Sequence, residues 1–453
     1  MKRLLWFRRD LRVRDNPLLS YDGEVLAIFI FDTNILSKLR ADDKRLSYIF
    51  HYIVKLKDEL QTIGLDLKVF YGDPVSIIQK LQTMHGFDEV VAGGDYDAYA
   101  KDRDKRVSHM LPFRYLQDTY IFKHNEVLKD DGTPYYVFTP FYKKALKVLE
   151  RKSLEKVTLG KCTLLNEEYE HIYKEQESGF ITLEFSLKSL GFLQQKVKVT
   201  SPKEKIQKFI KELHHYKEKR DFLNSDATSG LSVDLRFGTL GVRELLRTIS
   251  PLQDSEAFVR QLIFRDYYAY LLFHIPSLET ENYKYSFNGI EDEQKYKAFT
   301  QAKTGVPIVD AGVRELLQTG NMHNRVRMVA ASFFTKDLLL PWQWGEKFFA
   351  QYLLDYDKAS NVLSWQWSAG TGVDPQPYFR VFNPYLQGAK FDKEAKYIQK
   401  YCPELLDIDA KKLHNEHHLL SISIDGYPQP VIHSHKLAAK KAIEIFKDKP
   451  SKP

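Results

Sequence analysis

The stretch DYDKASNVLSWQWSAGTG, residues 355–372, sets Trp365 and Trp367, two of only five tryptophans in 453 residues, one residue apart beside two acids, an asparagine and glycines. Indoles stack on flat ligands and can pass electrons, so the pairing points to a planar or redox-active partner. In RDFLNSDATSGLSVDLRFGTLG, Thr228, Ser229 and Ser232 surround Gly230 just ahead of a helical segment. Such a turn either caps a helix or converges hydroxyls and backbone N–H groups on an anion such as pyrophosphate. In TGNMHNRVRMVAASFFTKDLLLPWQWG, Asn324, Arg325 and Arg327 interrupt an apolar helix, and the three-residue spacing puts Asn324 and Arg327 on one face. A guanidinium among apolar neighbours needs a carboxylate, and Asp355 and Asp357 are the candidate partners. Both acids follow the apolar helix KFFAQYLL, at an end where the macrodipole disfavours negative charge. An ordinary ion pair accounts for Arg327 and one aspartate, but not for Asn361 and the paired indoles. The inventory fits an aromatic dinucleotide cofactor held among helices.

These residues need a scaffold. The length suggests roughly two to three domains, with 43% hydrophobic and 28% charged residues, ordinary for a globular chain. No apolar run approaches the ~20 residues of a membrane span. The start, MKRLLWFRRDLRVRD, holds only about four apolar residues before its charge cluster, unlike a signal peptide, so a cytoplasmic protein is expected. Cys162 and Cys402, far apart, supply neither a disulfide framework nor a four-cysteine metal site, and no metal is expected. A net charge of +7 permits a polyanionic partner without demanding one.

Residues 1–125 alternate apolar runs (RLLWF, VLAIFIFD, LDLKVFYGD, DEVVAGGD, YLQDTYIF) with segments of helical period. That pattern predicts a doubly wound parallel sheet in an α/β domain. It lacks both G-x-G-x-x-G and a P-loop, so no phosphate cradle stands where the strand pattern would place one. Residues 126–199 are polar and irregular and read as an inter-domain connection with some helix. Helical spacing dominates from 200 to 446, predicting a mostly α-helical second domain, followed by a basic tail at 447–453.

At these same residues the sequence resembles the photolyase and cryptochrome family. The resemblance runs through LLWFRRDLRVRDNPLL, ATSGLSVDLRFGTLG, TGVPIVDAGVRELLQTGNMHNRVRMVAASFFTKDLLLPWQWGEKFF, DYDKASNVLSWQWSAGTGVDPQPYFRVFNPYLQGAKFD and YPQPVIHSHKLAAKKAI, in the family's order and over essentially the whole chain. It implies an N-terminal antenna-type α/β domain and a C-terminal helical domain that binds FAD. Carried over by motif, Tyr216, Thr228, Ser229, Gly230, Leu231 and Ser232 line the phosphates and ribityl chain, with Arg265 nearby. Gln261, Asn324, Arg327, Asp355 and Asp357 belong to the flavin side, and Asn361 faces the redox-active ring nitrogen. Trp365 matches the first member of the family's electron-donor chain and Trp342 the second. Trp367 matches the indole that packs against a flipped-out pyrimidine dimer.

Asn324 and Met328 stand where members acting on (6-4) photoproducts carry a histidine pair. The resemblance therefore implies light-driven repair of cyclobutane pyrimidine dimers in DNA by a carbon–carbon lyase, with Arg220, Arg325, Arg380 and Lys390 as candidate contacts to DNA phosphates. Three departures accompany it. Gln261 and Phe264 replace the Glu and Trp usual in the lesion pocket. Phe299 replaces the outer tryptophan, so the outer hop falls to Trp344 or a tyrosine such as Tyr296, or photoreduction is slow. Tyr99 and Ala100 replace the Asn–Glu pair of folate-binding members, which weighs against methenyltetrahydrofolate and leaves a deazaflavin, another flavin or no antenna open. The alternatives are a cryptochrome-type blue-light receptor that binds FAD without repair, and a flavoprotein without photochemistry. The family suggests a monomer.

Overall fold

The computed structural model describes residues 1–165 and 170–448. Strands β1 (Lys2–Phe7), β2 (Gly23–Asp32), β3 (Leu67–Gly72), β4 (Glu89–Gly93) and β5 (Phe113–Leu116) alternate with helices α1 (Lys44–Gln61), α2 (Pro74–His85) and α3 (Ala98–Ser108). The five strands are parallel in the order β5-β4-β1-β2-β3. Their runs are apolar on both faces because both are covered: Leu4, Trp6, Leu26 and Ile28 on one face, and Leu5, Phe7, Ala27 and Val69 on the other, are each at most 2% exposed. Helix α2 is delimited by Asp73, whose carboxylate accepts from Val75 N and Ser76 N, and by Gly86 in the left-handed conformation. The fifth strand lies at Phe113–Leu116, ahead of most of the apolar run expected to form it.

The stretch 126–199, expected as a connection, contains α4 (Phe138–Glu150) and three further strands, β6 (Cys162–Leu164), β7 (Ile172–Gln176) and β8 (Gly179–Leu183). β7 extends the sheet beside β3, β8 pairs antiparallel with β7, and β6 runs beside the start of β2. These strands are mostly half-exposed and polar, and so carry little of the buried-strand pattern.

Helices α5 (Pro202–Lys219), α6 (Ser232–Phe237), α7 (Glu256–His274), α8 (Glu293–Thr300), α9 (Pro307–Thr319) and α10 (Asn324–Ser332) follow, then a π-helical turn at Phe333–Asp337. Helices α11 (Trp342–Tyr352), α12 (Lys358–Ala369), α13 (Pro384–Phe391) and α14 (His435–Lys447) complete the part that matters here. The chain divides into two compact units. The first gathers 1–133, 142–210 and 229–273; the second gathers 134–141, 211–228 and 274 onward. Chain order and compact units thus interleave, and the segment 229–273 groups with the sheet. Of the expected tail at 447–453, residues 449–453 lie outside the described residues. Among the described residues no helix is long and apolar enough to cross a membrane.

Within the second unit, α11 packs on α12, and α14 packs on the π turn. His435 at the start of α14 pairs with buried Asp337, and Phe446 near its end lies beneath the Lys336 ammonium, 3.5 Å from Nζ to the ring centre. The π turn thereby aims two successive polar side chains at one helix.

Candidate flavin and lesion site

In the second unit, α10 opens with His323 as its N-cap: Nδ1 accepts from Arg325 N at 3.2 Å. Burial lowers the His323 pKa to about 4, so the ring is neutral and can act as an acceptor. One turn on, Arg327 meets Asp355 through two hydrogen bonds, 3.2 Å to Oδ1 and 3.0 Å to Oδ2, while Nε donates to Met322 O at 2.7 Å and Nη2 to Asn321 Oδ1 at 3.1 Å. This is the expected pair in bidentate form. Asp357, the other candidate partner, instead caps α12, its Oδ1 accepting from Ser360 N and Oγ, each at 3.1 Å. α11 ends at Tyr352, so Asp357 belongs to the start of the next helix, where the dipole favours negative charge.

Asn361, 7% exposed, donates from Nδ2 to both the backbone oxygen and Oε1 of Glu346, each at 3.0 Å. Burial raises the Glu346 pKa, while the bond from Asn361 lowers it. With Nδ2 so committed, the amide's orientation is set and Oδ1 is its acceptor for anything else. Glu346 was not among the expected site residues. Its only sequence signal was an acid inside the otherwise aromatic WQWGEKFF.

Trp365 is 1% exposed, its Nε1 has no hydrogen-bond partner, and its ring meets Phe334 and Phe349 edge-on at 5.4 and 4.9 Å. Its six-membered edge lies on Gly345, where an added Cβ would stand 2.2 Å from Cη2. Gln366 is wholly buried and donates to Leu278 O and Glu281 O, fixing the helix between the two indoles. Two residues along a helix is a rotation of about 200°, so Trp367, half-buried, leaves α12 on the far side from Trp365. Trp342 is buried and donates from Nε1 to Asn282 Oδ1 at 2.7 Å.

Asn324, exposed, reaches Met328 Sδ at 3.7 Å across one turn of α10. Arg325 pairs with Asp221 at 2.6 Å and lies over the Phe391 ring at 4.4 Å. Arg325, Arg380 and Lys390 line one cavity of about 330 Å³ together with Glu218, Asp221, Phe222, Phe382 and Phe391. Arg220 lies instead over the ring of buried Tyr216, at 5.5 Å. Thr228 is exposed.

In the first unit, Gly230 adopts φ +62°, the left-handed region that glycine alone enters freely, and turns the chain between Ser229 and buried Leu231. Ser229 Oγ accepts from Leu231 N at 3.4 Å, and α6 begins at exposed Ser232 without a side-chain cap. On α7, Gln261, Phe264, Arg265 and Tyr268 form one half-exposed stripe at i, i+3, i+4 and i+7. Arg265 donates to Thr119 O at 2.7 Å and Leu235 O at 3.2 Å and lies over Tyr120, a brace within its own unit.

A family model described as the FAD binding domain of DNA photolyase matches residues 258–448, and one described as DNA photolyase matches residues 3–158. The chain is 34% identical to the deoxyribodipyrimidine photo-lyase of Alkalihalophilus pseudofirmus, over 98% of this chain and 97% of that protein. The chain belongs to the DNA photolyase family. Among solved structures, this photolyase-family chain superposes on a bacterial class III photolyase from Agrobacterium tumefaciens with TM-score 0.85 and 30% identity, covering 98% of this chain and 97% of that one. It superposes on an archaeal photolyase from Sulfolobus tokodaii, solved with two FAD molecules, with TM-score 0.82 and 27% identity over 99% and 100%. The helical residues suit the FAD that the matching domain implies: a buried amide fixed through its nitrogen, a bidentate Arg–Asp pair, and a buried indole N–H without a partner.

Proposed function

We propose that this protein uses light to split cyclobutane pyrimidine dimers in DNA. The observation that carries the reading is helix α12, which presents a buried oxidisable indole, Trp365, on one side, a half-buried indole, Trp367, on the other, and the tethered amide of Asn361 one turn before Trp365. When bound, reduced FAD supplies the excited electron that cleaves the dimer. The protein's own residues bind, orient and exclude water. Asn361 presents Oδ1 as an acceptor for the ring N–H of the cofactor, while Arg327, held by Asp355, sets positive charge beside the isoalloxazine. Ser229, Gly230, Leu231 and Ser232 meet the phosphates and ribityl chain, and Arg265 braces that region. Asn324, Met328 and Trp367 receive the flipped dimer. Arg325, Arg380 and Lys390, with Arg220, contact DNA phosphates, and the shared cavity of the first three supports that role.

Segment 1–125 serves as the antenna-type domain and 200–446 as the flavin and lesion domain. Tyr99 donates to Asp32, and Ala100 is buried, so this part of α3 offers no folate-binding carboxylate of the usual kind. That supports an antenna other than methenyltetrahydrofolate, or none. The protein acts in the cytoplasm as a monomer. The cryptochrome alternative is less favoured, because the relatives named deoxyribodipyrimidine photo-lyase match over nearly the whole chain.

The test is repair of a thymine-dimer oligonucleotide under blue light by FAD-loaded protein reduced chemically beforehand. Recovery of thymine ultraviolet absorbance is expected. Absence of recovery with bound, fully reduced cofactor would refute dimer repair.

A further inference from the structure

Phe299, at the position expected for an outer tryptophan, is wholly buried, its ring 4.8 Å from Phe334 and 6.0 Å from Phe348. A phenyl ring is far harder to oxidise than an indole or a phenol and has no acidic proton to release. Buried as it is, it offers no surface at which an external reductant could refill it. One turn earlier on α8, Tyr296 is half-exposed. Its ring meets Trp344, also half-exposed, edge-on at 5.2 Å and Phe334 at 6.3 Å. Phe334 in turn meets Trp365 at 5.4 Å. Trp344 also directly precedes Gly345, the residue on which the Trp365 ring lies. Trp365 is therefore linked to the Trp344–Tyr296 pair twice, through the Phe334 ring and through one residue of backbone.

We propose that Trp344 and Tyr296 form the surface end of the electron-donor chain that begins at Trp365, in place of the route through position 299. The proposal rests on the flavin reading above. Trp365 loses one electron to the photoexcited cofactor and becomes a radical cation. Trp344, in place of Trp342 as second member, returns one electron to Trp365 and carries the positive charge. Tyr296 gives one electron to Trp344 and releases its phenolic proton to water, ending as a neutral phenoxyl radical. A thiol reductant in solution then returns one hydrogen atom to the phenoxyl oxygen. Burial, together with the charge of Glu293 and the neighbouring Tyr352, raises the Tyr296 pKa, so the phenol is protonated at neutral pH and its oxidation expels the proton. Loss of that proton makes the return of the electron slow, which is what a terminal donor requires.

The experiment is flash illumination of the FAD-loaded, oxidised full chain, read by time-resolved absorption and electron paramagnetic resonance of the protein radical. The wild type is expected to end on a phenoxyl radical. Y296F, which removes only a hydroxyl, should lose that signal and leave a shorter-lived indole radical. W344F should lose the phenoxyl yield, and Y296F/F299W should regain a long-lived radical, now on indole. A phenoxyl signal surviving in Y296F, or an unchanged yield in W344F, would overturn the proposal. Chemically reduced wild type separates this from failure of the flavin reading: dimer repair by it keeps the flavin reading intact, so the Tyr296 and Trp344 results then judge the relay alone.

Discussion

Lys336 offers the sharpest quantitative test of the helical unit. It is fully buried in the π turn, its Nζ has no hydrogen-bond acceptor, and the ammonium stands 3.5 Å from the centre of the Phe446 ring. Burial lowers its pKa from 10.5 to about 7. A base whose pKa falls on folding holds its proton less well in the native than in the unfolded chain. The resulting penalty is absent above the unfolded value, grows as pH falls through the interval between the two, and is complete below the folded value. Each pKa unit is worth about 1.4 kcal/mol, so the full penalty is about 5 kcal/mol. Lys336→Met keeps the stem and removes the charge, and should stabilise the protein by about 5 kcal/mol near pH 6 but only about 1 kcal/mol near pH 9.5. Urea unfolding followed by tryptophan fluorescence reports on the right unit, since Trp342, Trp344, Trp365 and Trp367 all belong to it. Any packing difference between the two stems is the same at both pH values, so the difference between them isolates the charge. An equal change in stability at the two pH values would refute the reasoning.

Gly345→Ala places a methyl group 2.2 Å from the Trp365 ring, and overpacking of this kind costs about 1–3 kcal/mol; a lowered Tm and a shifted tryptophan emission should report it. Glu346→Ala removes one of the two acceptors of Asn361 Nδ2, at a cost of about 1 kcal/mol. Reduced FAD retention on gel filtration is expected, with Glu346→Gln, which keeps the acceptor, close to wild type. Arg380→Ala and Lys390→Ala should weaken binding of dimer-containing DNA irrespective of flanking sequence, and each should lower the salt-dependence slope by about 1, measured by fluorescence anisotropy across salt concentrations. An unchanged slope would remove these residues from the phosphate contacts.

Much of the fold and part of the site could be read from residue order. Apolar strands of four to ten residues alternating with amphipathic helices announce a parallel sheet, because a strand covered on both faces has no polar side to show. The need of Arg327 for a carboxylate followed from its apolar neighbours, and Asp355 meets it. The paired indoles of α12 were legible too, since helical rotation alone sends Trp365 and Trp367 to opposite sides. Which of two aspartates caps a helix and which holds an arginine was not legible, because it depends on where α11 stops, a matter of a few residues. The strands within 126–199 were missed because half-exposed edge strands lack the apolar signature of the central ones.

Sequence by itself determined the central parallel strands, the helical second half, the family and the chemistry available, because periodicity, motif spacing and residue type are local properties of the chain. Tertiary structure alone decided that Glu346 tethers Asn361, that Lys336 faces Phe446, and that Tyr296 reaches Trp344. Each of these pairs joins residues separated by between 15 and 110 positions or lying on different helices. Such contacts are set by how helices pack, through side-chain volumes and backbone approaches such as that at Gly345, which no local pattern encodes.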